Sequence, residues 1–435
     1  MGVFELQLRM NFSIQLPRKI IFGDDAFKEV PDLVKAFNPR SVLIVTDPVI
    51  RKIGAAEKIS EPLQSAGVNV EVYDQVEPEP SVEAAEAVVN SARSSRCDLV
   101  IGLGGGSSMD MAKLASISIT NQNPISDFVG VGKVPKPGVP KILIPTTAGT
   151  GAEITMNAII SNRVEHLKMG IVSSHIIADV AVIDPLLTLT MPPSVTASTG
   201  LDALTHAIES LMSIELNPFC EPLALEAVRL IFRSLPKAYR DGNNLEARRE
   251  MSLAAMFAGI SLAISGVCAG HAAAYSFTVT VPHGVACALA LPYVMEMNAQ
   301  ACPSRLVSVA EAAGVKREGA GQMENVYNAV SAVRGLMENV KSPLSLMDIG
   351  IKEADLDHMA EKMLTVKRLL VRNPKVLTEE DAKILMRRMY AGEQLPLSEY
   401  KGYQFPHLNP SHSMYRVVRA KGLKDRWEYS YQVDV

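Results

Sequence analysis

DLVIGLGGGSSMD, residues 98–110, decides how the first half of the chain is read. An apolar run passes into Gly102, Gly104, Gly105 and Gly106, and a helix-forming segment then opens. A strand, glycine turn and helix in this order let backbone N–H groups approach a phosphate, and the helix N-terminus adds partial positive charge. The turn is not GxGxxG, because Ser107 stands at the third glycine, and it lacks the GK[ST] ending of a P-loop. The plainer alternative is a tight connection in which Asp110 caps the helix.

Working outward, SVLIVTD (41–47) is β-branched and apolar, as a buried parallel strand should be. A helical stretch at about 51–66, VNVEVYDQV (68–76), a helical SVEAAEAVVNSARSS (81–95) and the opening run complete a β-α-β-α-β order. That order implies right-handed crossovers and a parallel sheet. KILIPTT (141–147) and VAVIDP (180–185) extend the pattern as further strands. Asp47 ends its strand where an adenosine ribose commonly bonds, and a carboxylate there repels a 2′-phosphate, favouring NAD over NADP. Asp-Pro is also a common turn opener. PTTAGTGAE (145–153) offers the hydroxyls of Thr146, Thr147 and Thr150 between glycines, suited to a nucleotide or to a polar inter-strand loop.

After Pro185 the periodicity turns helical. Helices are predicted over 193–214, 218–235, 245–270, 284–299, 303–313, 322–337 and 378–391. The expected architecture is an α/β Rossmann-like domain with a parallel sheet over 1–185 and an all-α domain over 186–392. A C-terminal extension over 393–435, rich in Tyr and Pro and carrying the sole tryptophan, Trp427, follows.

The 435 residues include 48% hydrophobic and 21% charged, ordinary for a soluble protein with a sizeable core. A net charge of −4 gives no reason to expect nucleic acid or an anionic membrane as partner. No run approaches the roughly 18 apolar residues of a membrane span, and the N-terminus lacks a signal-peptide core. Cys97, Cys220, Cys268, Cys287 and Cys302 are dispersed without a CxxC pair, which suggests reduced packing thiols in the cytoplasm.

In TGLDALTHAIE (199–209), Asp202 and His206 are four apart and share one helix face. They are either a hydrogen-bonded surface pair or two ligands of a metal. AGHAAAYSFTVTVPHGVA (269–286) adds His271 among alanines and glycine, and His283 fixed in a Pro-His-Gly bend. Three histidines and a carboxylate suit Fe2+ or Zn2+. His166, His175, His358, His407 and His412 have no such setting and are expected to be surface or structural residues.

These segments together resemble the iron-containing (group III) alcohol dehydrogenase family. GGGSxxD matches Gly104 to Asp110, PTTxGTGSE matches residues 145–153 with Ala152 for serine, and TGLDALTHAIE is nearly the family signature. PHGVACALALPYVMEMN (282–298) resembles its second signature, and NPKVLTEEDAKILMRRMY (373–390) its last helix, so the likeness spans about 12–391. The resemblance implies a cleft between the two domains and a metal, iron or alternatively zinc, on Asp202, His206, His271 and His283. It implies contacts to NAD from Asp47, the glycine turn (Gly104, Gly105, Gly106, Ser107, Asp110), Thr146, Thr147 and Lys168.

Two departures stand out. Many members carry HxxxH where this chain reads HAAAY, so Tyr275 takes the place of a histidine near the nicotinamide. His271 and His283 are 12 apart, about two residues shorter than the common loop. Tyr275 is therefore the candidate catalytic residue, to orient substrate or relay a proton, with packing as its bland alternative. The expected activity is hydride transfer between a small alcohol, or its aldehyde or ketone, and NAD(H), with the metal polarising the substrate oxygen. The alternatives are a hydroxyacid-oxoacid transhydrogenase with retained NAD, which a tyrosine at this place resembles, a relative acting on a phosphorylated or cyclic polyol, and a catalytically silent metal- and nucleotide-binding protein. A homodimer or larger homo-oligomer is expected from family habit.

Overall fold

A computed structural model describes residues 6–163 and 167–400. His166, His407, His412, Trp427 and the extension beyond Tyr400 lie outside the described residues.

The N-terminal half is built on a six-stranded sheet. Its strands are β1 (Lys19–Phe22), β2 (Ser41–Val45), β3 (Asn69–Tyr73), β4 (Leu99–Gly104), β6 (Lys141–Pro145) and β9 (Val180–Ile183), in the order β1-β9-β6-β4-β2-β3. Every ladder in it is parallel. β2, β4, β6 and β9 are buried along their whole length, because helices cover both faces of the sheet. The flanking helices are α1 (Val30–Ala36), α2 (Pro48–Lys52), α3 (Glu57–Ser65), α4 (Val82–Ser95) and α5 (Gly106–Thr120). From β2 the chain moves outward to β3, then returns to β4 on the other side of β2 and continues away through β6 and β9. The direction of winding therefore switches between β2 and β4, and a crevice opens at the carboxyl ends of such strands. Asp47 and the glycine turn stand at that point.

Several features depart from the sequence expectation, the unanticipated α1 among them. The predicted helix at 51–66 is two helices, α2 and α3, separated at Gly54, whose φ of +76° interrupts the helical backbone. A second, three-stranded sheet is present, β5 (Gly130–Val131), β7 (Asn157–Asn162) and β8 (Leu167–Val172), in which β7 and β8 pair antiparallel. The edge strand β1 is likewise absent from the sequence reading.

The C-terminal half is helical: α6 (Pro193–Met212), α7 (Cys220–Arg240), α8 (Leu245–Ser265), α9 (Ala269–Ala274), α10 (His283–Asn298), α11 (Pro303–Ala312), α12 (Gln322–Asn339), α13 (Leu356–Thr365), α14 (Lys367–Leu370), α15 (Glu379–Ala391) and α16 (Leu397–Tyr400). α6 and α10 are buried on nearly every side and form the centre of the bundle. The others present one apolar stripe to them. α13 was not anticipated. The predicted helix 245–270 breaks at Gly266, where φ is +74°, and the short α9 restarts beyond it. That break carries His271 into the centre of the bundle. α16 docks the start of the extension: the buried Tyr400 hydroxyl donates to Glu296 at 2.8 Å.

Candidate active site

At the sheet's switch point, Gly105 is the N-cap of α5, whose first N–H groups receive no side-chain cap. Gly104 has φ +148°, and a Cβ there would lie 2.6 Å from Ser108 Oγ and 3.1 Å from Asp47 Oδ2. A Cβ on Gly106 would lie 2.9 Å from Thr150 Cγ2. The turn thus runs between Asp47 and the 145–153 loop with no room for side chains, a backbone surface that a phosphate can approach. Asp47 Oδ1 accepts from Val49 N at 2.9 Å and Ile50 N at 3.0 Å, capping α2 as a turn opener would, while Oδ2 faces Gly104. Thr146 N donates to Gly104 O at 2.9 Å and joins the ends of β6 and β4. Ser107 Oγ accepts from Glu79 N at 3.3 Å, and Thr150 Oγ accepts from Ala152 N at 3.3 Å. Thr147 Oγ is buried with no partner among the described residues.

Asp110 does not cap α5, being a full turn inside it. Its Oδ1 pairs with Lys113 Nζ at 3.1 Å and its Oδ2 accepts from Ile159 N at 3.0 Å, tying α5 to β7. Burial pushes the Asp110 carboxyl up against the pull of Lys113. Nearby, burial pushes the Glu153 carboxyl up to about 7. With a folded pKa above its ordinary 4.5, Glu153 binds a proton more readily in the native than in the unfolded chain. Its stabilising contribution is full below about pH 4.5 and is lost as pH rises through about 7. Glu153→Gln should flatten the fall in Tm between those pH values, as thermal unfolding across a pH series would measure.

The second cluster lies in the helical half. Asp202 and His206 lie on α6, both buried, with His206 Nε2 3.7 Å from Asp202 Oδ1. A surface pair is thereby excluded. The rings of His206 and His271 stack at 5.0 Å, and those of His271 and His283 meet edge-on at 5.4 Å. Three buried atoms of this group, Asp202 Oδ1, His206 Nδ1 and His271 Nε2, have no hydrogen-bond partner among the described residues. Buried polar atoms are almost always satisfied, so three orphans in one cluster of side chains call for a partner from outside the chain, and their nitrogen and oxygen chemistry fits a divalent cation. Burial holds His206 below its ordinary pKa, and His283 well below, with the charge of Lys168 adding to the shift at His283. Both are therefore neutral imidazoles, the form that binds metal.

His283 is the first residue of α10 and is only half-buried. It reaches the cluster because Gly284 lets α10 meet α6: a Cβ there would lie 2.1 Å from Ser198 O and 2.9 Å from Asp202 Cβ. Gly284→Ala should force the two helices apart, costing about 1–3 kcal/mol of stability. It should also weaken metal retention, which elemental analysis of the purified variant would read.

Tyr275 ends the turn after α9, half-buried, its ring 5.7 Å from His283 and 6.5 Å from His271. Lys168 Nζ lies 5.8 Å from that ring and 3.2 Å from Glu79 Oε1. Burial pushes the Tyr275 phenol up, so it stays protonated. His175 and His358 stand apart from this group.

Two residues escape the sequence reading. Glu209, fully buried one turn beyond His206, accepts from His271 Nδ1 at 2.5 Å and from the N–H groups of Cys268, Gly270 and His271 at 3.1, 2.6 and 3.2 Å. The bond to Nδ1 leaves the Nε2 lone pair facing the cluster. Glu209 is seven residues after Asp202, on the same helix face, and that spacing was the available signal. Cys287, one turn after His283, places Sγ 3.5 Å from His283 Nε2. Burial pushes its thiol well up.

Residues 17–185 match the family described as iron-containing alcohol dehydrogenase, and residues 196–390 match its C-terminal domain, the Fe-containing alcohol dehydrogenase family C-terminal region. The chain belongs to the iron-containing alcohol dehydrogenase family. Among relatives in that family, long-chain-alcohol dehydrogenase 1 of Geobacillus thermodenitrificans is 38% identical over 85% of this chain and 94% of its own. The 1,3-propanediol dehydrogenase of Citrobacter freundii is 34% identical over 87% and 99%. Among solved structures, a 1,3-propanediol oxidoreductase superposes with a TM-score of 0.84 at 33% identity, covering 88% of this chain and all of its own. A sulfoacetaldehyde reductase from Bifidobacterium kashiwanohense, solved in complex with NAD+, gives 0.80 at 30% identity, covering 88% and 100%.

Proposed function

We propose that this member of the family oxidises a small alcohol, or reduces the corresponding carbonyl, with iron held by Asp202, His206, His271 and His283 and NAD(H) held at the glycine turn. The observation that carries the reading is the set of three buried orphan donors, Asp202 Oδ1, His206 Nδ1 and His271 Nε2. Their nitrogen and oxygen chemistry fits a divalent iron or zinc ion. Such an ion supplies Lewis acidity toward an alcohol or carbonyl oxygen.

The chain's own residues do the positioning. Gly104, Gly105 and Gly106 keep side chains away from the helix N-terminus that meets the pyrophosphate, with Ser107 at its edge. Asp47 Oδ2, free of the capping bonds that Oδ1 makes, is available to a ribose and opposes a 2′-phosphate, favouring NAD over NADP. Thr146, Thr147 and Thr150 flank the dinucleotide on the β6 side, and Asp110 braces α5 from behind. Lys168 reaches toward the ring of Tyr275, which closes the half-open side of the metal cluster beside His283. As a neutral phenol Tyr275 can donate a hydrogen bond to substrate there.

The test is metal content per subunit on protein purified without oxygen or chelators, followed by NAD-linked oxidation of a panel of primary and secondary alcohols. About one equivalent of iron with alcohol-dependent NADH formation supports the reading, and absence of metal after loading with either ion rejects it. The proposal includes an assembly of two or more copies in the cytoplasm, tested by sedimentation velocity. No helix among the described residues is long and apolar enough to cross a membrane.

A further inference from the structure

We propose that Cys287 is itself a ligand of the metal centre, making it a mixed nitrogen–oxygen–sulfur site. The inference rests on the metal reading of the cluster given above. The donor atoms of Asp202, His271, His283 and Cys287 all lie within 4.8 Å of one another, and this compact set contains Cys287 but not His206. With metal–ligand bonds of about 2.0–2.3 Å, neighbouring donors around one ion stand roughly 3–4 Å apart. Cys287 Sγ packs beside the His283 ring, 3.5 Å from Nε2 and 3.7 Å from Nδ1, and a turn of the ring would let both residues face one ion.

The sulfur is fully buried and reaches no polar group beyond the His283 ring among the described residues. The donors opposite it, Asp202 and His271, are 2% and 3% exposed, and each carries an orphan atom, Oδ1 and Nε2. These two independent observations place an unsatisfied carboxylate oxygen, an unsatisfied imidazole nitrogen and a thiol around one space. The placement follows from helix geometry. Cys287 is four residues after His283 on α10, so both side chains project from the same face toward α6. His206 stands behind His271 in the stack and serves as the further donor.

When the metal binds, the metal–sulfur bond forms as the S–H bond breaks, the proton passes to solvent, and no oxidation state changes. A thiolate is a softer donor than the carboxylate and imidazoles, so it shifts preference from Fe2+ toward Zn2+ and its spectroscopic substitute Co2+.

The experiment is an anaerobic titration of the metal-free full-length chain with Co2+, followed by absorption. Wild type should show ligand-field bands in the visible together with thiolate-to-cobalt charge transfer in the near ultraviolet. Cys287→Ser and Cys287→Ala should lose the near-ultraviolet band and keep the visible ones, which also report that both variants fold. Against a chromophoric chelator, their Zn2+ affinity should fall by at least the roughly 10–100-fold that loss of an outer partner costs. Visible bands without charge transfer in wild type, or charge transfer surviving in both variants, would overturn the assignment of Cys287 alone. No visible bands in wild type would overturn the metal reading of the cluster, and this proposal with it.

Discussion

Asp202→Ala should leave the chain folded but without bound metal, and alcohol-dependent NADH formation should fall by ~10³-fold or more. Asp202 supplies the only carboxylate among the four family ligands, and its Oδ1 is buried without a partner. Removing it relieves an unsatisfied group instead of creating one, so little stability is lost. Lewis-acid stabilisation of developing charge is worth several kcal/mol, and about 4 kcal/mol is about 10³-fold in rate. Metal analysis, NAD-linked kinetics and circular dichroism on the same preparation check the claim. A folded, metal-free variant with wild-type turnover would sink it.

Glu209→Ala should behave in the opposite way and damage the fold as well as the site. The carboxylate collects three backbone N–H groups at the start of α9 and the Nδ1 of His271, in a place with no water access. Truncation strands those buried donors at about 1–3 kcal/mol each, so a loss of several kcal/mol is expected. Glu209→Gln separates the two roles. The amide keeps the volume and one acceptor, but its N–H₂ group opposes a donor wherever it turns, and the His271 tautomer is no longer fixed. Metal affinity should then drop about 10–100-fold in a protein whose Tm falls less than that of the alanine variant. Unchanged metal affinity in Glu209→Gln would show that Glu209 serves the fold only.

Much of this was legible because the informative residues follow local periodicity. The β-branched run 41–47 and the glycine turn announce a parallel sheet, and the four-residue step from Asp202 to His206 announces a shared helix face. The Cys287 environment was not legible: four residues separate it from His283, but its meaning depends on α6 packing across from both. The break at Gly266 was missed because a lone glycine in a helical pattern is compatible with either a continued helix or a cap. The β7–β8 pair escaped for a different reason: NAIISN and LKMGIV (157–162 and 167–172) are short, and RVEH between them has no tight-turn residue to announce a hairpin. A helix cap was the plainer alternative for Asp110 because it lies near the helix start, whereas its partners, Lys113 and Ile159, include one 49 residues away.

The bonds from Glu209 to α9 have a consequence of timing. They need nothing but the chain itself, so His271 is held in place when the bundle packs, before any ion arrives. The ordering cost of the ligands is then met during folding, unlike small domains whose folding waits on their metal. Such a protein folds first and loads later. His271 then meets an incoming ion already oriented, with no segment of backbone left to order around it.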